Sequence, residues 1–217
     1  MSHSLFDLLQ PGRPHEQEGG RIYGVVVGIV TNNKDPDGMG RVKVKFPWLS
    51  DQDESWWARI ATMMAGSGRG SYFLPEVNDE VMIAFEHGDV RFPYVLGALW
   101  NGKDAPPAKN DDGKNNIRVI QSRSGHLIRL DDTDGDEKIE IIDKTGSNSI
   151  TIKSSDNSMT LTCVGKLRLE ATQGIEITSQ TDVQIQANTS ISIQANATMD
   201  VQSGANMSIK GAMVSIN

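Results

Sequence analysis

The sequence predicts an all-β protein with two unlike halves, a small N-terminal barrel and a C-terminal needle in which three chains intertwine. Three observations carry this expectation. Aliphatic pairs recur two residues apart at Met159/Leu161, Leu167/Leu169, Ile175/Ile177, Val183/Ile185, Ile191/Ile193, Met199/Val201 and Met207/Ile209, each pair eight residues after the one before. All four Trp, all three Tyr and all five Phe lie at or before Trp100, so the two halves bury their surfaces differently. Between Tyr23 and Trp100 the chain breaks into short apolar runs separated by Gly, Pro, Asp and Asn, the pattern of strands and turns.

In chain order, YGVVVGIV (23–30), GRVKVKFPW (40–48), WWARIATM (56–63), EVMIAFEHG (80–88) and PYVLGALW (93–100) read as five strands. NNKDPDGMG (32–40) has turn chemistry, with Pro presetting φ and Gly tolerating positive φ, and EHGD (86–89) reads as a hairpin turn. Five short strands in about eighty residues, with no helical periodicity between them, favour an OB-fold barrel over a doubly wound sheet. NGKDAPPAKNDDGKNN (101–116) is linker chemistry. The expected organisation is an N-terminal docking segment over 1–20, an OB-fold domain over 21–103, a linker over 104–116 and a needle over 117–217.

The repeat starts irregularly. Ile128/Leu130, Ile139/Ile141 and Ile150/Ile152 are pairs of the same kind, spaced by eleven, eleven and then nine residues, and DDTDGDEK (131–138) is expected as a loop bulging from the shaft. Residues i and i+2 of a strand share a face. Eight residues are too few for one coil of a single-chain solenoid, whose repeats usually run to about 20 or more, so one octad supplies one side rather than one coil. If three chains each give one strand to a triangular cross-section, the pairs meet at the axis and the polar residues between them turn the corners. Burial of one pair does not offset the ordering of eight backbone residues, so a lone octad cannot persist. This triple-stranded β-helix places Ile175, Ile177, Val183, Ile185, Ile191, Ile193, Met199, Val201, Met207 and Ile209 in the trimer core. With strands stacked about 4.8 Å apart, the repeats from Ile128 to Ile216 would build a shaft about 50 Å long.

GVVVGIVTNNKDPDGMGRVKVKFPWLSDQDESWWARI, followed by MAGSGRGSYFLPEVNDEVMIAFEHGDVRFPYVLGALWNGK, closely resembles the OB domain of spike proteins in contractile injection systems. These include the VgrG proteins of type VI secretion and phage baseplate assembly protein V. FPW, YFLPEV, DEV, EHGD and YVLGALWNG occur in order with compatible spacings, and the octads resemble the family's triple-stranded β-helix. The resemblance implies a homotrimeric spike at the centre of a baseplate, driven through a target envelope by sheath contraction. It also implies a PAAR-like tip protein and effectors as partners. Such a product resides in the cytoplasm before assembly or release, and then in a baseplate or virion-like particle. About twenty residues precede the barrel, so the large hub domain fused to VgrG proteins is expected as a separate protein. No His follows His126, so the His-x-His iron apex of short phage spikes is not expected.

The remaining composition argues against other chemistry. His3, His15, His87 and His126 are isolated from one another and from any zinc-ligand spacing. SGRG (67–70) lacks the Lys-Ser/Thr of a phosphate cradle, and DDTDGDE (131–137) lacks the twelve-residue calcium-loop pattern. No nucleophile and base stand in a recognisable motif, so neither an enzyme nor a cofactor is expected. Cys163 is the only cysteine, which excludes a disulfide within the chain and leaves the compartment open. MSHSLFDLLQPGRP lacks the basic start and long apolar run of a signal peptide. A formal net charge of −7 argues against general affinity for nucleic acid or anionic lipid. Two alternatives stay open: an OB-fold nucleic-acid binder with a trimerising tail, using Trp48, Trp56, Trp57, Tyr72 and Phe73 for stacking, and a trimeric phage adhesin fibre.

Both termini carry candidate docking residues. In SLFDLLQ (4–10), Leu5, Phe6 and Leu9, with Leu8 beside them, form an apolar cluster suited to docking on a separate hub protein. At the other end the octad would continue at Ser215 and Asn217, but the apolar residues fall one position early, at Val214 and Ile216, with Met213 adjacent. Three such ends would present a blunt apolar triangle with unpaired strand edges, a base for the tip protein.

Overall fold

The computed structural model describes residues 21–50 and 53–216. Leu5, Phe6 and Leu9 of the expected docking segment, together with His3 and His15, lie outside the described residues. The chain divides after Val164 into two units. Among the described residues there is no α-helix; one 3-10 turn, Glu86–Gly88, stands in the EHGD stretch.

The first unit begins with β1 (Val26–Asn32), β2 (Lys43–Lys45), β3 (Arg59–Ile60), β4 (Ala65–Gly66), β5 (Arg69–Gly70), β6 (Glu80–Phe85) and β7 (Pro93–Leu99). The sheet order is β2-β1-β6-β7-β3, and bridges Val42↔Ala58 and Lys45↔Glu54 join its two ends into a closed barrel. Closure removes free sheet edges, as in the OB fold. β3 and β7 are parallel, and the other pairs in this sheet are antiparallel. Alternation explains the core: in β6, Val81, Ile83 and Phe85 point inward between half-buried neighbours. They pack with Val30, Val42, Val44, Phe46, Ala58 and Val95, and the Phe46 and Phe85 rings meet at 5.7 Å between centroids. β4 and β5 form a separate two-stranded hairpin. Gly70 is required there, because at φ +150° a Cβ would lie 2.5 Å from the Met64 carbonyl oxygen.

Asp35 organises the turn after β1. It accepts from the backbone N–H of Asp37 (3.1 Å), Met39 (3.0 Å) and Arg41 (3.2 Å). Arg41 forks onto it through Nε (2.9 Å) and a terminal nitrogen (2.7 Å). The fork, with the backbone donors behind it, holds the Asp35 carboxyl well below the usual carboxylate range. A carboxylate with a depressed native pKa stabilises the fold above its unfolded value and loses that contribution as pH falls through the native one. The turn is therefore expected to stay intact through mild acid. The Asp35 carboxyl carbon should show no NMR inflection between about pH 7 and pH 3, whereas an ordinary Asp titrates near pH 3.9.

Beyond the barrel, β8 (Ile117–Gln121), β9 (Leu127–Asp131), β10 (Lys138–Ile142), β11 (Ser149–Lys153) and β12 (Ser158–Thr162) form an antiparallel meander in chain order. This differs from the expected single strand per side. Five-residue strands separated by connections 132–137, 143–148 and 154–157 generate the spacings of eleven, eleven and nine. DDTDGDEK is therefore a hairpin connection, with Gly135 at φ +77°. From Leu167 onward the strict octads leave no room for five-residue strands joined by such connections.

The second unit, Gly165–Asn217, contains no strand paired within the chain over its described residues. Its backbone bends at 172–173, 180–181, 188–189, 196–197 and 204–205, once every eight residues and always between successive aliphatic pairs.

Candidate functional site: an assembly surface

Antiparallel register decides which side chains share a face of the meander. Ile120, Ile128, Ile141, Ile150 and Leu161 stand opposite one another in one row across the five strands. Arg118, Leu130, Ile139, Ile152 and Met159 make a second row on the same face. Nine aliphatic side chains thus lie in one plane. All nine are exposed, from 37% at Ile152 to 71% at Met159. Arg118, the exception, forms an ion pair with Asp132 at the sheet edge.

The opposite face is mixed: Ile117, Val119, Leu127 and Ile142 lie on it, half-buried among charged and hydroxyl side chains. Arg129 pairs with Glu140 directly across the strands, with Nε donating at 2.8 Å. Asp136 is held by Lys138 at 2.6 Å and Lys153 at 2.9 Å. These two ammonium groups pull the Asp136 carboxyl down to about 2. Asp131, which accepts from the Thr133 hydroxyl at 2.6 Å and its N–H at 3.1 Å, is also lowered. In the 143–148 connection Asp143 accepts from the Asn148 amide (2.9 Å) and the Thr145 hydroxyl (2.8 Å), and falls to about 2. The ion pairs of the sheet thus lie on one face, while nine exposed aliphatic side chains stand together on the other, an apolar patch of the kind that marks an interaction surface.

The second unit repeats this condition without a sheet. Ile175, Ile177, Val183, Ile185, Ile191, Ile193, Met199, Val201, Met207 and Ile209 are all exposed, the first of each pair less than the second. No backbone–backbone hydrogen bond falls among residues 165–216. Fifty-two residues in extended, regularly bent backbone therefore lack both a core and a ladder within their own chain. At the end, Met213 and Ile216 are 88% and 87% exposed and Val214 is half-exposed. The first-unit rows went unassigned at the sequence level beyond their pairs. The signal for them was the spacing itself, since eleven and nine are strand-plus-hairpin lengths.

The barrel offers less. Trp57 is flanked by the charged groups of Arg41 and Lys43 at 5.8 and 5.6 Å, and it lines an open groove of about 880 Å³ with Arg59, Arg69, Tyr72 and Phe73. Trp48, Trp56, Tyr72 and Phe73 are exposed. His87 lies in the 3-10 turn at φ 49°, and His126 accepts from the Lys144 N–H at 3.2 Å through Nδ1. Among the described residues no group of three His, Cys, Asp or Glu side chains could hold a metal, and no helix is long and apolar enough to cross a membrane.

Residues 26–100 match the family described as the type VI secretion system/phage-baseplate injector OB domain. Among curated proteins, the chain is 31% identical over 131 residues to the type VI secretion system spike protein VgrG3 of Vibrio cholerae, covering 57% of this chain and 13% of that protein. It is 29% identical over 144 residues to the spike protein VgrG1a of Pseudomonas aeruginosa, covering 61% of this chain and 22% of that protein. The actin cross-linking toxin VgrG1 of V. cholerae is 31% identical over 99 residues, 44% of this chain and 9% of that protein. The chain spans about a fifth or less of the length of these relatives. Residues 26–100 are thus an OB domain of the injector type, and the chain that carries it is similar to VgrG spike proteins over about 60% of its length.

Proposed function

We propose that the chain is the structural central spike of a contractile injection system or phage tail baseplate, acting as a homotrimer that pierces a target envelope. One observation carries the reading: an injector-type barrel is followed by two successive stretches whose aliphatic side chains are bare. Three meander faces turned inward would bury their rows against one another. Three octad chains wound together would bury the pairs from Ile175 to Ile209 and supply the missing ladder hydrogen bonds, as a triple-stranded β-helix. In solution the chain should run by light scattering at three times its own mass at micromolar concentration. A folded monomer would end this reading.

Two apolar clusters carry the partner assignments. Met213, Val214 and Ile216 form the base for a PAAR-like tip protein that carries an effector; Leu5, Phe6 and Leu9 dock a separate hub protein. The role is mechanical rather than catalytic, carried out in an assembled baseplate or virion-like particle after synthesis in the cytoplasm. Removing residues 212–217 should leave a trimer that loses the tip protein in a pull-down. Undiminished retention would place the tip elsewhere. The nucleic-acid alternative gains nothing from the groove beside Trp57, because Arg41 there is already committed to Asp35 and Asp37 and the net charge is −7.

A further inference from the structure

Three segments meet at the open groove of the barrel: the end of the turn after β1 (38–41), β3 with Trp57 before it, and the β4–β5 hairpin with the chain that leaves it (62–74). Trp57, Met64, Tyr72 and Phe73 supply much of its apolar surface, and the last three are more than half exposed. Arg41, Arg59 and Arg69 line the groove and no Asp or Glu does, in a chain whose net charge is −7. An aromatic groove of this sign on an acidic protein selects a ligand of opposite charge.

The three arginines are not equivalent. Arg41 is committed to Asp35 and Asp37. Arg59 lies over the Tyr94 ring at 5.7 Å, and Arg69 lies across Gly66, its partner in the hairpin, where a Cβ would stand 2.9 Å from the Arg69 Nε. Among the described residues neither Arg59 nor Arg69 has an ion-pair partner, and both are exposed. Two guanidinium groups are left for carboxylates, which Arg binds through parallel N–H donors. The main chain of Tyr72, Phe73 and Leu74 is also unpaired: none of the three makes a backbone–backbone hydrogen bond or belongs to a strand. Such a segment can pair with an extended peptide. The turn beside it is fixed before anything binds, since Arg41 forks onto Asp35 and a Cβ on Gly40 would stand 3.4 Å from the Tyr72 ring.

We propose that this groove docks an extended acidic peptide of a partner protein. Its carboxylates pair with Arg59 and Arg69, its apolar side chains lie on Trp57, Tyr72 and Phe73, and its main chain bonds to residues 72–74. The inference goes beyond the spike reading, because it needs only one barrel. Single-stranded nucleic acid fits less well. It brings a phosphate at every nucleotide to a groove with two uncompensated cations, and it has no peptide groups to complement residues 72–74.

Fluorescence anisotropy on the full-length chain tests this with three labelled probes: a peptide carrying Phe-Ser-Leu between two pairs of acidic residues, the same peptide with Lys for each acid, and an oligothymidylate. The acidic peptide should bind saturably and the Lys peptide about tenfold more weakly. Arg69→Glu and Tyr72→Ser, both at exposed positions, should each weaken the acidic peptide by about tenfold. Lys109→Glu, which changes the net charge as Arg69→Glu does but lies outside the groove, should leave its binding unchanged. Absence of saturable binding, equal binding of the Lys peptide, or an equal loss in Lys109→Glu overturns the proposal. Tighter binding of the oligothymidylate would reassign the groove to nucleic acid, and an altered oligomeric state of Arg69→Glu by light scattering would reassign it to a second copy of this chain.

Discussion

Replacing Ile141 with Asp is expected to abolish the trimer. Ile141 sits mid-row in the central strand of the meander, between Ile128 on β9 and Ile150 on β10's other neighbour, β11. Its side chain is 48% exposed in the single chain, so Asp there costs one chain little. In the assembly, three carboxylates would meet in an apolar interior with no cation opposite them. Leaving a buried charge unpaired costs about 3–5 kcal/mol, and here the cost recurs in every chain. Thr160→Asp, fully exposed on the opposite face of the same sheet beside Thr151, is the control and should change stability by no more than about 0.5 kcal/mol. Size-exclusion chromatography with light scattering should find Ile141→Asp as monomer or aggregate and Thr160→Asp as trimer. Equal trimer stability in the two variants would show that the aliphatic face is not the buried one.

The corresponding experiment in the octads should give as large an effect for a different reason. Ile193→Asp and Ser192→Asp alter adjacent residues that point to opposite sides of an extended backbone. Residues 165–216 have no intrachain ladder to fall back on, so a charge on the axis removes the burial that orders the surrounding octads as well as its own. Ile193→Asp should lower the thermal midpoint of the trimer sharply and expose the C-terminal region to protease, whereas Ser192→Asp should be nearly silent. Equal melting of the two trimers would refute the assigned register, and with it the placement of Ile175 through Ile209 on the axis.

The three segments of the chain were legible to different degrees. In the barrel, alternation in EVMIAF and GRVKVKF marked the residues that become the core, because one face of each strand is buried by the chain itself and local pattern and tertiary outcome coincide. In the octads the period of eight reappears as a bend every eight residues, since the corner needs polar and small residues and the side needs the aliphatic pair. The intermediate region was harder. Pairs at Ile128, Ile139 and Ile150 carry the same i, i+2 signal whether the chain winds onward or folds back, and only the connection lengths distinguish the two. The open groove beside Trp57 was not visible in sequence at all, because residues from the turn after β1, the strand before the hairpin and the hairpin itself meet there only after the barrel closes.

The sequence by itself determined that this is an all-β chain, where its barrel strands lie, which residues pair aliphatically and the eight-residue step of its C-terminal part. These are properties of local periodicity, which strand geometry converts directly into faces and corners. Only the tertiary structure decided that residues 117–162 form a meander within one chain, that its aliphatic side chains fall into two aligned rows, and that Asp35 and Arg41 pin the turn after β1. Those outcomes depend on register and on hydrogen bonds between residues far apart in sequence, and no local pattern specifies which strand edge will find which partner.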